Sequence, residues 1–523
     1  MFSITSIKAC LRQQAGRAQR ATFFRSVQTQ VAPSAIERKH RKEREEGDIS
    51  SVFSSLSGEK ERTLPPRFAE LKRSIIGDEA NQQRLVASWG RLTQHLAKVA
   101  HEIESGQQDC IPETTYDEFI NHRTPGLEQR IKTCGSVIIR DVVDEQTALN
   151  WLADLKSYID LNPSVKGFPE NDKQVFELYW SRSQLSARSH PRAMAVQRAL
   201  LGLFSHTPTD LVSLHIPITY ADRLRIRHPG DAQFALGPHA DGGSVERWED
   251  ETYRRVYHSV LEGRWEEFDS WTIGERAQAR QSMYDGPGSC GVFRAFQGWT
   301  SMSNTGPNEG TLQVYPLIKE LSAYTMLRPL FRQQPRTDLD RDGYLAPANW
   351  ELDLETSRFP GSPLARCQEY NDTTHPHLEL DRTMIAIPRV KPGDQAWWHG
   401  GEFNKSICQG TPELMTDKDV IHAVEKVHNG KGPSAVMYIP AVPLTLQNAA
   451  YVNDQKQTFL KGKPGPDFPG GAGESDFEGR GQVEDIESLE GRRAMGLEPF
   501  DVSGSLASGE REVRKQANTI IGS

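Results

Sequence analysis

The most informative stretch of the sequence is Leu236-Gly-Pro-His239-Ala-Asp241-Gly-Gly243. His239 and Asp241 are two residues apart, and the flanking glycine and proline residues permit a backbone bend that turns both side chains toward one metal ion. Two histidines and one carboxylate occupy one face of an octahedral Fe(II) and leave three positions open. The motif is short, and a chain of 523 residues with 15 histidines contains such pairs by chance. A second histidine is therefore needed from another part of the sequence.

The later segment Lys391-Pro-Gly-Asp-Gln-Ala-Trp-Trp-His399 is followed by Asp419-Val-Ile-His422. A Pro-Gly-Asp turn, an aromatic strand and a histidine that ends a short apolar run are typical of the second half of a jelly-roll metal site. From residue 210 onward, short apolar runs alternate with Gly, Pro and Asn turns, and this pattern favours an antiparallel sandwich or barrel. The clearest runs are 224–227, 291–303, 311–316, 384–390, 395–399 and 435–440.

The part of the chain before residue 210 is predicted to be mainly helical. Apolar residues recur at steps of three and four over 84–104, which predicts an amphipathic helix. A strand is predicted over 135–143, and helices are predicted over 145–160 and 190–204.

Several longer stretches resemble a known family: Tyr179-Trp-Ser181, Tyr220-Ala-Asp-Arg-Leu-Arg-Ile-Arg-His-Pro-Gly230, Gly242-Gly-Ser-Val-Glu-Arg-Trp-Glu-Asp250, Phe293-Arg-Ala-Phe-Gln-Gly-Trp299 and Gly310-Thr-Leu-Gln-Val314. Over roughly residues 65 to 500 the chain resembles an uncharacterised oxygenase-like domain of unknown function. The His-x-Asp and Pro-Gly-Asp segments are similar to those of phytanoyl-CoA dioxygenase-type enzymes, which depend on Fe(II) and 2-oxoglutarate. The resemblance implies an α+β fold with a double-stranded β-helix (jelly-roll) core, N-terminal helices and a helical insertion after the His-x-Asp motif.

The resemblance also implies the site. His239, Asp241 and His422 would be the iron ligands, with 2-oxoglutarate as cosubstrate and O₂ as the other reactant in the hydroxylation of an unknown small molecule. His399 stands at the position of a non-ligating histidine and is the competitor for the distal ligand, and His428 lies further into the next turn. Two other functions stay open: an inactive jelly-roll binding module and a metal-dependent, cupin-like enzyme that does not use 2-oxoglutarate.

The residue that would bind the far carboxylate of 2-oxoglutarate is not evident. Related enzymes use an arginine or lysine about ten residues after the distal histidine, because a buried carboxylate needs a charged partner. Here that region offers Lys431 and Ser434, and the lysine could equally be a solvated turn residue. Arg223, Arg225 and Arg227 would share one face of a strand. If that face lines the barrel, Arg225 or Arg227 could hold the acid; a solvent-exposed charged face is the alternative.

Residues 400–418 depart from the family pattern, which allows about one residue where this chain has nineteen. The segment is polar and without clear periodicity. Gly401-Glu402-Phe403 can be encoded by codons that contain a common intron donor sequence. The segment is therefore either a real loop or a retained intron.

Residues 245–285 form the predicted helical lid insertion and are rich in aromatic residues. These aromatics would either cover an apolar or ring-bearing substrate, as a lid that excludes water, or pack the segment onto the barrel. Arg247 and Arg294 are candidate contacts for a substrate anion.

The ends of the chain have distinct compositions. Residues 1–36 contain five basic residues and no acidic one, with scattered hydrophobic residues, which fits a mitochondrial presequence; a disordered basic tail is the alternative. We therefore expect a location in the mitochondrial matrix, with the cytoplasm as the alternative. Residues 37–65 are a charged and Ser-rich linker, 66–209 a mainly helical part packed on the barrel and 210–460 the jelly-roll core. Residues 461–523 are a Gly/Pro-rich and acidic extension with a short helix near 486–495.

The overall composition excludes several classes of protein. A net charge of -8 argues against a general nucleic-acid binder, which needs a basic surface. The mean hydropathy of -0.60 and the lack of a run of ~18 apolar residues predict no membrane-spanning helix. The 6 cysteines include no Cys-x-x-Cys pair and are expected to be reduced thiols. The oligomeric state has no signature in the sequence.

Overall fold

The computed structural model describes residues 63–106, 110–232, 236–241, 244–279, 283–284, 290–336, 338–400 and 420–522. The predicted presequence, nearly all of the predicted linker and the insertion beyond Gly400 lie outside the described residues.

The described residues form sixteen α-helices, of which seven precede residue 210, six lie between residues 246 and 383 and three follow residue 445. In chain order, α1 to α16 are Arg67–Ile76, Glu79–Gly106, Tyr116–Asn121, Pro125–Cys134, Glu145–Leu161, Arg182–Ser189, Pro191–Leu201, Glu246–Glu249, Glu251–Val256, His258–Leu261, Ile318–Leu327, Arg341–Leu345, Leu380–Thr383, Leu446–Lys461, Leu489–Ala494 and Ser508–Ile521.

The β-strands are short, as the spacing of the turn residues predicts. In chain order, β1 to β17 are Glu113–Thr115, Ser136–Arg140, Gly167–Phe168, Val175–Phe176, Val212–Ile218, Leu224–Arg227, His239–Ala240, Phe296–Ser301, Leu312–Val314, Phe331–Gln333, Trp350–Leu352, Gln368–Glu369, Ile385–Ala386, Gln395–His399, His422–Val424, Ser434–Tyr438 and Val442–Thr445.

Two larger sheets and two strand pairs make a mixed α+β fold with several antiparallel sheets. An eight-stranded sheet has the order β1-β2-β14-β8-β16-β6-β4-β3, and a five-stranded sheet has the order β12-β7-β15-β9-β13. All recorded pairings in these two sheets are antiparallel except the parallel pair β1–β2. Strands from distant parts of the chain are therefore neighbours in both sheets.

The long helix α2 follows the predicted periodicity and extends the predicted range of 84–104 at both ends. Its apolar stripe is buried, and Trp89 on this stripe stacks on Phe331 with ring centroids 4.5 Å apart. The predicted strand and helices over 135–204 are also present, as β2, α5 and α7. These elements are confirmed because their local patterns agree with their packing.

The segment 245–285 contains the short α-helices α8 to α10 and two 3-10 helices, Trp265–Glu267 and Gly274–Gln278, joined by irregular stretches, and its large aromatic side chains are buried. They belong to hydrophobic cores, and the described wall of the main cavity does not include them. These side chains therefore pack the segment onto the rest of the fold. They are Trp248, Tyr253, Tyr257, Trp265, Phe268 and Trp271.

The C-terminal part holds more helix than predicted. The sequence predicts one short helix near 486–495, which is present as α15. The structure adds the 16-residue helix α14 and the 14-residue helix α16. Val452 of α14 and Ala517 of α16 share one hydrophobic core, so the C-terminal segment is part of the packed fold. No helix within the described ranges combines the length and the apolar character needed to cross a membrane.

Candidate metal centre

Strand pairing places two histidines from distant parts of the chain side by side. β15 pairs with β7 in antiparallel fashion, and the register sets His422 directly opposite His239. Directly opposed residues of an antiparallel pair project from the same face of the sheet. Their imidazole ring centroids are 4.2 Å apart, and both side chains are buried.

Asp241 completes the cluster, one residue after the end of β7. One carboxylate oxygen lies 3.5 Å from His239 Nε2 and the other lies 3.6 Å from His422 Nε2. Ligand atoms from the three residues all lie within 4.8 Å of one another. The Asp241 side chain is 27% exposed, against 3% for His239 and 7% for His422. The carboxylate therefore forms the most accessible part of the cluster.

Backbone carbonyl groups orient both imidazole rings. His239 Nδ1 is 2.7 Å from the carbonyl oxygen of Gly237, and His422 Nδ1 is 3.1 Å from that of Val420. Because a carbonyl oxygen only accepts, each Nδ1 donates a hydrogen and each Nε2 keeps its lone pair. Both Nε2 atoms thus lie on the side that Asp241 occupies. A hydrogen bond from the ring nitrogen that does not face the metal is the arrangement found around metal-binding histidines.

The electrostatics suit a cationic ligand. Burial alone would raise the pKa of Asp241, but the imidazoles of His239 and His422 hold that pKa well below its usual range. Burial and the neighbouring His239 lower the pKa of His422, which favours its neutral form. Burial would lower the pKa of His239, but the Asp241 carboxylate raises it and favours the charged ring. Metal binding would displace that proton, because histidines bind metals in their neutral form.

A cavity of about 120 Å³ opens beside the cluster, between residues of the two larger sheets. Trp398 of β14 lines it, with its ring centroid 5.0 Å from that of His422. Most of the wall is apolar or aromatic, and its main members are Leu236, Trp299, Leu312, Trp398, Val424 and Tyr438.

Arg225 projects from β6 into this cavity and is only 3% exposed. Its Nη2 lies 3.5 Å from the carbonyl oxygen of Gly310, and its Nε has no hydrogen-bond partner. Burial lowers the pKa of Arg225. The sequence left open whether the alternating arginines face the barrel or the solvent. Arg225 and Arg227 are both buried, so the solvent-exposed alternative is wrong for these two residues.

The other predicted contacts of 2-oxoglutarate lie away from the described cavity wall. Arg227 is buried, and its guanidinium contacts Asp231 and the carbonyl oxygens of Glu425 and Lys426. Lys431 is exposed, in a turn. Ser434 is buried in β16, where it pairs with Arg227. The structure thus brings only Arg225 of this group of candidates into the cavity.

The competing histidines do not join the cluster. His399 follows Trp398 on the same strand, so its side chain points to the opposite face. There its ring contacts Phe204, Trp271 and Phe296, with centroids 5.2, 4.8 and 5.9 Å away, and its Nε2 is 3.0 Å from the carbonyl oxygen of Ser270. His428 Nδ1 accepts from the backbone N–H of Gly430 in a turn, 3.1 Å away.

Of the two arginines predicted to contact a substrate anion, one lines the cavity and the other lies outside its described wall. Arg247 is buried and donates to the carbonyl oxygen of Ser244, outside the described cavity wall. Arg294 lines the cavity together with Asp222, for which the sequence motifs predicted no role. Asp222 stands directly before the alternating arginines, and an acid at that position was the available signal.

Comparison with known proteins identifies the family. A family model described as Gig2-like matches residues 62–497. The uncharacterized protein YbiU of Escherichia coli K12 is 30% identical over 471 residues, which cover 86% of this chain and 100% of YbiU. The crystal structure of GlcNAc Inducible Gene 2, GIG2 (DUF1479), from Candida albicans is 31% identical with a TM-score of 0.77, and the match covers 89% of this chain and 96% of that chain.

A crystal structure from Salmonella typhimurium LT2, named "Putative Oxidoreductase", is 28% identical with a TM-score of 0.67. That match covers 83% of this chain and 98% of the Salmonella chain. The predicted resemblance to an oxygenase-like domain of unknown function, over roughly residues 65 to 500, is confirmed by the extent of the family match. The chain belongs to the Gig2-like family.

Proposed function

We propose that this protein is an Fe(II)- and 2-oxoglutarate-dependent dioxygenase that hydroxylates a small molecule. The observation that carries the proposal is the convergence of His239, His422 and Asp241 ligand atoms within 4.8 Å. Two imidazoles and one carboxylate on one side of a site are the donor set of the non-haem Fe(II) oxygenases. The residues fit the ion, because both Nε2 lone pairs and the carboxylate face one position while both Nδ1 atoms are held by carbonyl groups.

The placement of the cavity supports a double-stranded β-helix core. Its wall combines β14, β8, β16 and β6 of the eight-stranded sheet with β7, β15 and β9 of the five-stranded sheet. The three ligands all belong to the smaller sheet or to the residue that follows one of its strands. In this arrangement the larger sheet supplies the binding surface that faces the metal.

Arg225 is our candidate for the far carboxylate of 2-oxoglutarate. Among the described residues, no carboxylate forms an ion pair with it, and its hydrogen bonding is limited to the long contact with Gly310. A buried guanidinium without an anionic partner is unfavourable, and a bound carboxylate would satisfy it with charge-assisted hydrogen bonds. The strand neighbour of Arg225 in β16 is Val436.

These contacts indicate what the bound metal and the protein would each contribute to the reaction. Fe(II), when bound, supplies the O₂ chemistry, and the protein supplies binding, orientation and a shaped, largely apolar cavity. His239, His422 and Asp241 hold their donor atoms in one arrangement, and Arg225 would orient the cosubstrate. The apolar wall, including Trp299 and Trp398, limits the access of water to the reacting groups.

The test is succinate formation from 2-oxoglutarate by the purified full-length protein, with and without Fe(II). Fe(II)-dependent succinate supports the proposal, even without an added substrate, because such enzymes can turn over their cosubstrate slowly on its own. Stoichiometric Fe(II) binding without succinate formation would indicate a cupin-like enzyme that does not use 2-oxoglutarate. The absence of both would indicate an inactive binding module.

Matched variants test the cosubstrate contact. Arg225→Gln should weaken 2-oxoglutarate binding by at least about tenfold while Fe(II) binding is retained. Lys431→Gln, which changes an exposed residue outside the cavity, is the control and should leave both unchanged. Binding is measured under anaerobic conditions through the visible charge-transfer absorption of the Fe(II)–2-oxoglutarate complex. An effect of Lys431→Gln equal to that of Arg225→Gln would remove Arg225 from this role.

A further inference from the structure

A second basic position of the same cavity is formed by Arg223 and Arg294, on either side of Asp222. We call these two residues the arginine pair. Arg223 Nε lies 3.2 Å from one carboxylate oxygen of Asp222, and Arg294 Nη1 lies 4.0 Å from the other. All three residues line the cavity. The Arg223 side chain is 25% exposed and that of Arg294 only 7%, so the pair extends from the accessible part of the cavity into its buried part.

Aromatic rings hold both guanidinium groups in place. Arg294 Cζ is 5.3 Å from the ring centroid of Tyr220, and Arg223 Cζ is 5.2 Å from that of Phe468. A guanidinium that rests on an aromatic face is attracted to the ring, and this attraction restricts its movement. The pair is therefore positioned before any ligand binds.

The described wall of the cavity carries more arginines than carboxylates. The described residues of its wall include three arginines (Arg223, Arg225 and Arg294) but only two carboxylates, Asp222 and Asp241. Under the proposed function, Asp241 binds the metal and Arg225 binds 2-oxoglutarate. Asp222 is then the single described carboxylate of the wall that faces the arginine pair. A low-dielectric cavity with an excess positive charge favours an anionic ligand over a neutral one.

The rest of the wall indicates what else the ligand contains. Trp299, Trp398 and Tyr438 present aromatic surface to the same cavity, and Leu236, Leu312 and Val424 add aliphatic surface. Such a wall binds an apolar or ring-bearing group, while a few charged groups fix its orientation.

We infer that the substrate is a small amphipathic anion, with a carboxylate or phosphate held by Arg223 and Arg294 and an apolar or ring-bearing body on the aromatic wall. This inference rests on the proposed function, because it assigns Asp241 to the metal and Arg225 to the cosubstrate. It differs from the cosubstrate contact, since it uses other arginines of the cavity.

The test compares matched anionic and neutral probes by isothermal titration calorimetry. The pairs are phenylacetate against phenylacetamide and phenyl phosphate against phenol, so that the two arms separate carboxylate from phosphate. The full-length protein is used in two states: metal-free, and loaded with Mn(II) and 2-oxoglutarate, which prevents turnover. At least one anion should bind about tenfold more tightly than its neutral partner in the loaded protein.

Substitutions locate the binding. Arg223→Gln and Arg294→Gln should each weaken binding of the anion about tenfold, with no change for the neutral probe or for 2-oxoglutarate. Arg294→Lys keeps the charge of the buried residue and should restore part of the loss. The control is Arg182→Gln, because Arg182 is 69% exposed, lies 3.6 Å from Asp485 and is not part of the described cavity wall.

The outcomes separate this inference from the proposed function. Equal affinity for anion and neutral partner, or no binding of either anion, overturns the inference even if the protein forms succinate. Loss of 2-oxoglutarate binding in the Arg223 and Arg294 variants would assign the arginine pair to the cosubstrate and also overturn it. Selective anion binding by the metal-free protein, lost in the same variants, would support the arginine pair even if succinate formation fails.

Discussion

The backbone N–H of Val420 donates to the carbonyl oxygen of His399 across 3.0 Å. These two residues flank the segment that separates the Trp397-Trp-His399 strand from His422, the proposed distal metal ligand. The chain on either side is also held in place, since Gly400 N–H donates to the carbonyl oxygen of Ala295 and β15 begins at His422. The placement of His422 therefore depends on strand pairing and on this hydrogen bond.

We predict that deletion of residues 401–418 leaves a folded protein that binds Fe(II) at least as tightly. The deletion would leave Gly400 and Asp419 between His399 and Val420, and the existing hydrogen bond would then close a four-residue β-turn with glycine at its first central position. Shortening a loop of about twenty residues to two lowers the entropy cost of closure by about 2 kcal/mol. Iron content and urea denaturation measure the two effects.

Two results would contradict this prediction. An unfolded deletion variant would show that the segment is structural, and the retained-intron hypothesis would fail with it. Weaker Fe(II) binding by a folded variant would show that the segment helps to place His422. Sequencing the transcript across codons 395 to 425 tests the hypothesis independently, because a spliced message that keeps these codons excludes a retained intron.

The distal ligand can be identified by a pair of alanine variants. His422→Ala should abolish stoichiometric Fe(II) binding, because it removes one of the three converging donor atoms. His399→Ala should leave Fe(II) binding nearly unchanged but lower the free energy of unfolding by about 2–3 kcal/mol, since His399 is buried among aromatic rings. Iron analysis with urea denaturation distinguishes the two. A larger loss of iron in His399→Ala would show that the distal ligand is misassigned.

Asp241→Ala should also abolish stoichiometric Fe(II) binding, and it should do so with little change in stability. The Asp241 side chain is partly exposed and lies outside the hydrophobic cores, so its removal leaves no large cavity. Metal analysis and thermal unfolding of the metal-free protein check both parts. Iron content equal to that of the wild type would refute the three-ligand site.

Glu474 should make stability depend on pH. Its buried carboxylate accepts from the backbone N–H groups of Tyr179 and Trp180, 2.6 and 2.9 Å away, and from the hydroxyl of Tyr158, 2.9 Å away. Burial nevertheless raises its pKa to about 7, from an ordinary value of 4.5. Between these values the folded state holds a proton that the unfolded state releases, so this group's contribution to stability falls as the pH rises.

Glu474→Gln should remove this dependence, because the amide does not ionise; its oxygen can accept the two N–H groups and its nitrogen can donate to Tyr158. Between about pH 5 and pH 7, the wild type should lose about 2 kcal/mol of unfolding free energy relative to the variant. Urea denaturation at both pH values provides the comparison. Parallel pH profiles for the two proteins would show that Glu474 does not titrate in this range.

A reporter fusion tests whether residues 1–36 are a mitochondrial presequence. Residues 1–40 joined to a fluorescent reporter should direct it to mitochondria, because five basic residues without an acid before Glu37 favour import along a negative-inside potential. N-terminal sequencing of the mature protein should locate its start between residues 25 and 36. A reporter that stays in the cytosol would contradict this expectation.

The sequence by itself predicted the helices and strands whose apolar residues follow a short, regular pattern along the chain. The stripe of α2, the strand β2 and the helix α5 are of this kind, since period and composition act over a few residues. The helix α16 escaped prediction because its buried residues Val513, Ala517 and Ile521 are sparse within a polar stretch.

Tertiary structure alone decided which chemistry-bearing residues meet. His239 and His422 are neighbours because β7 pairs with β15, and the choice of Arg225 over Lys431 depends on β6 lying beside β16. The register of these strands also turns Trp398 toward the cavity and His399 away from it. Such pairings depend on burial and hydrogen bonding between distant segments, and a shift of one residue would move every side chain to the opposite face. The sequence motifs therefore predicted the His-Asp-His cluster, whereas the cavity, and with it the roles proposed for Arg225 and the arginine pair, follow only from the packing of the two sheets.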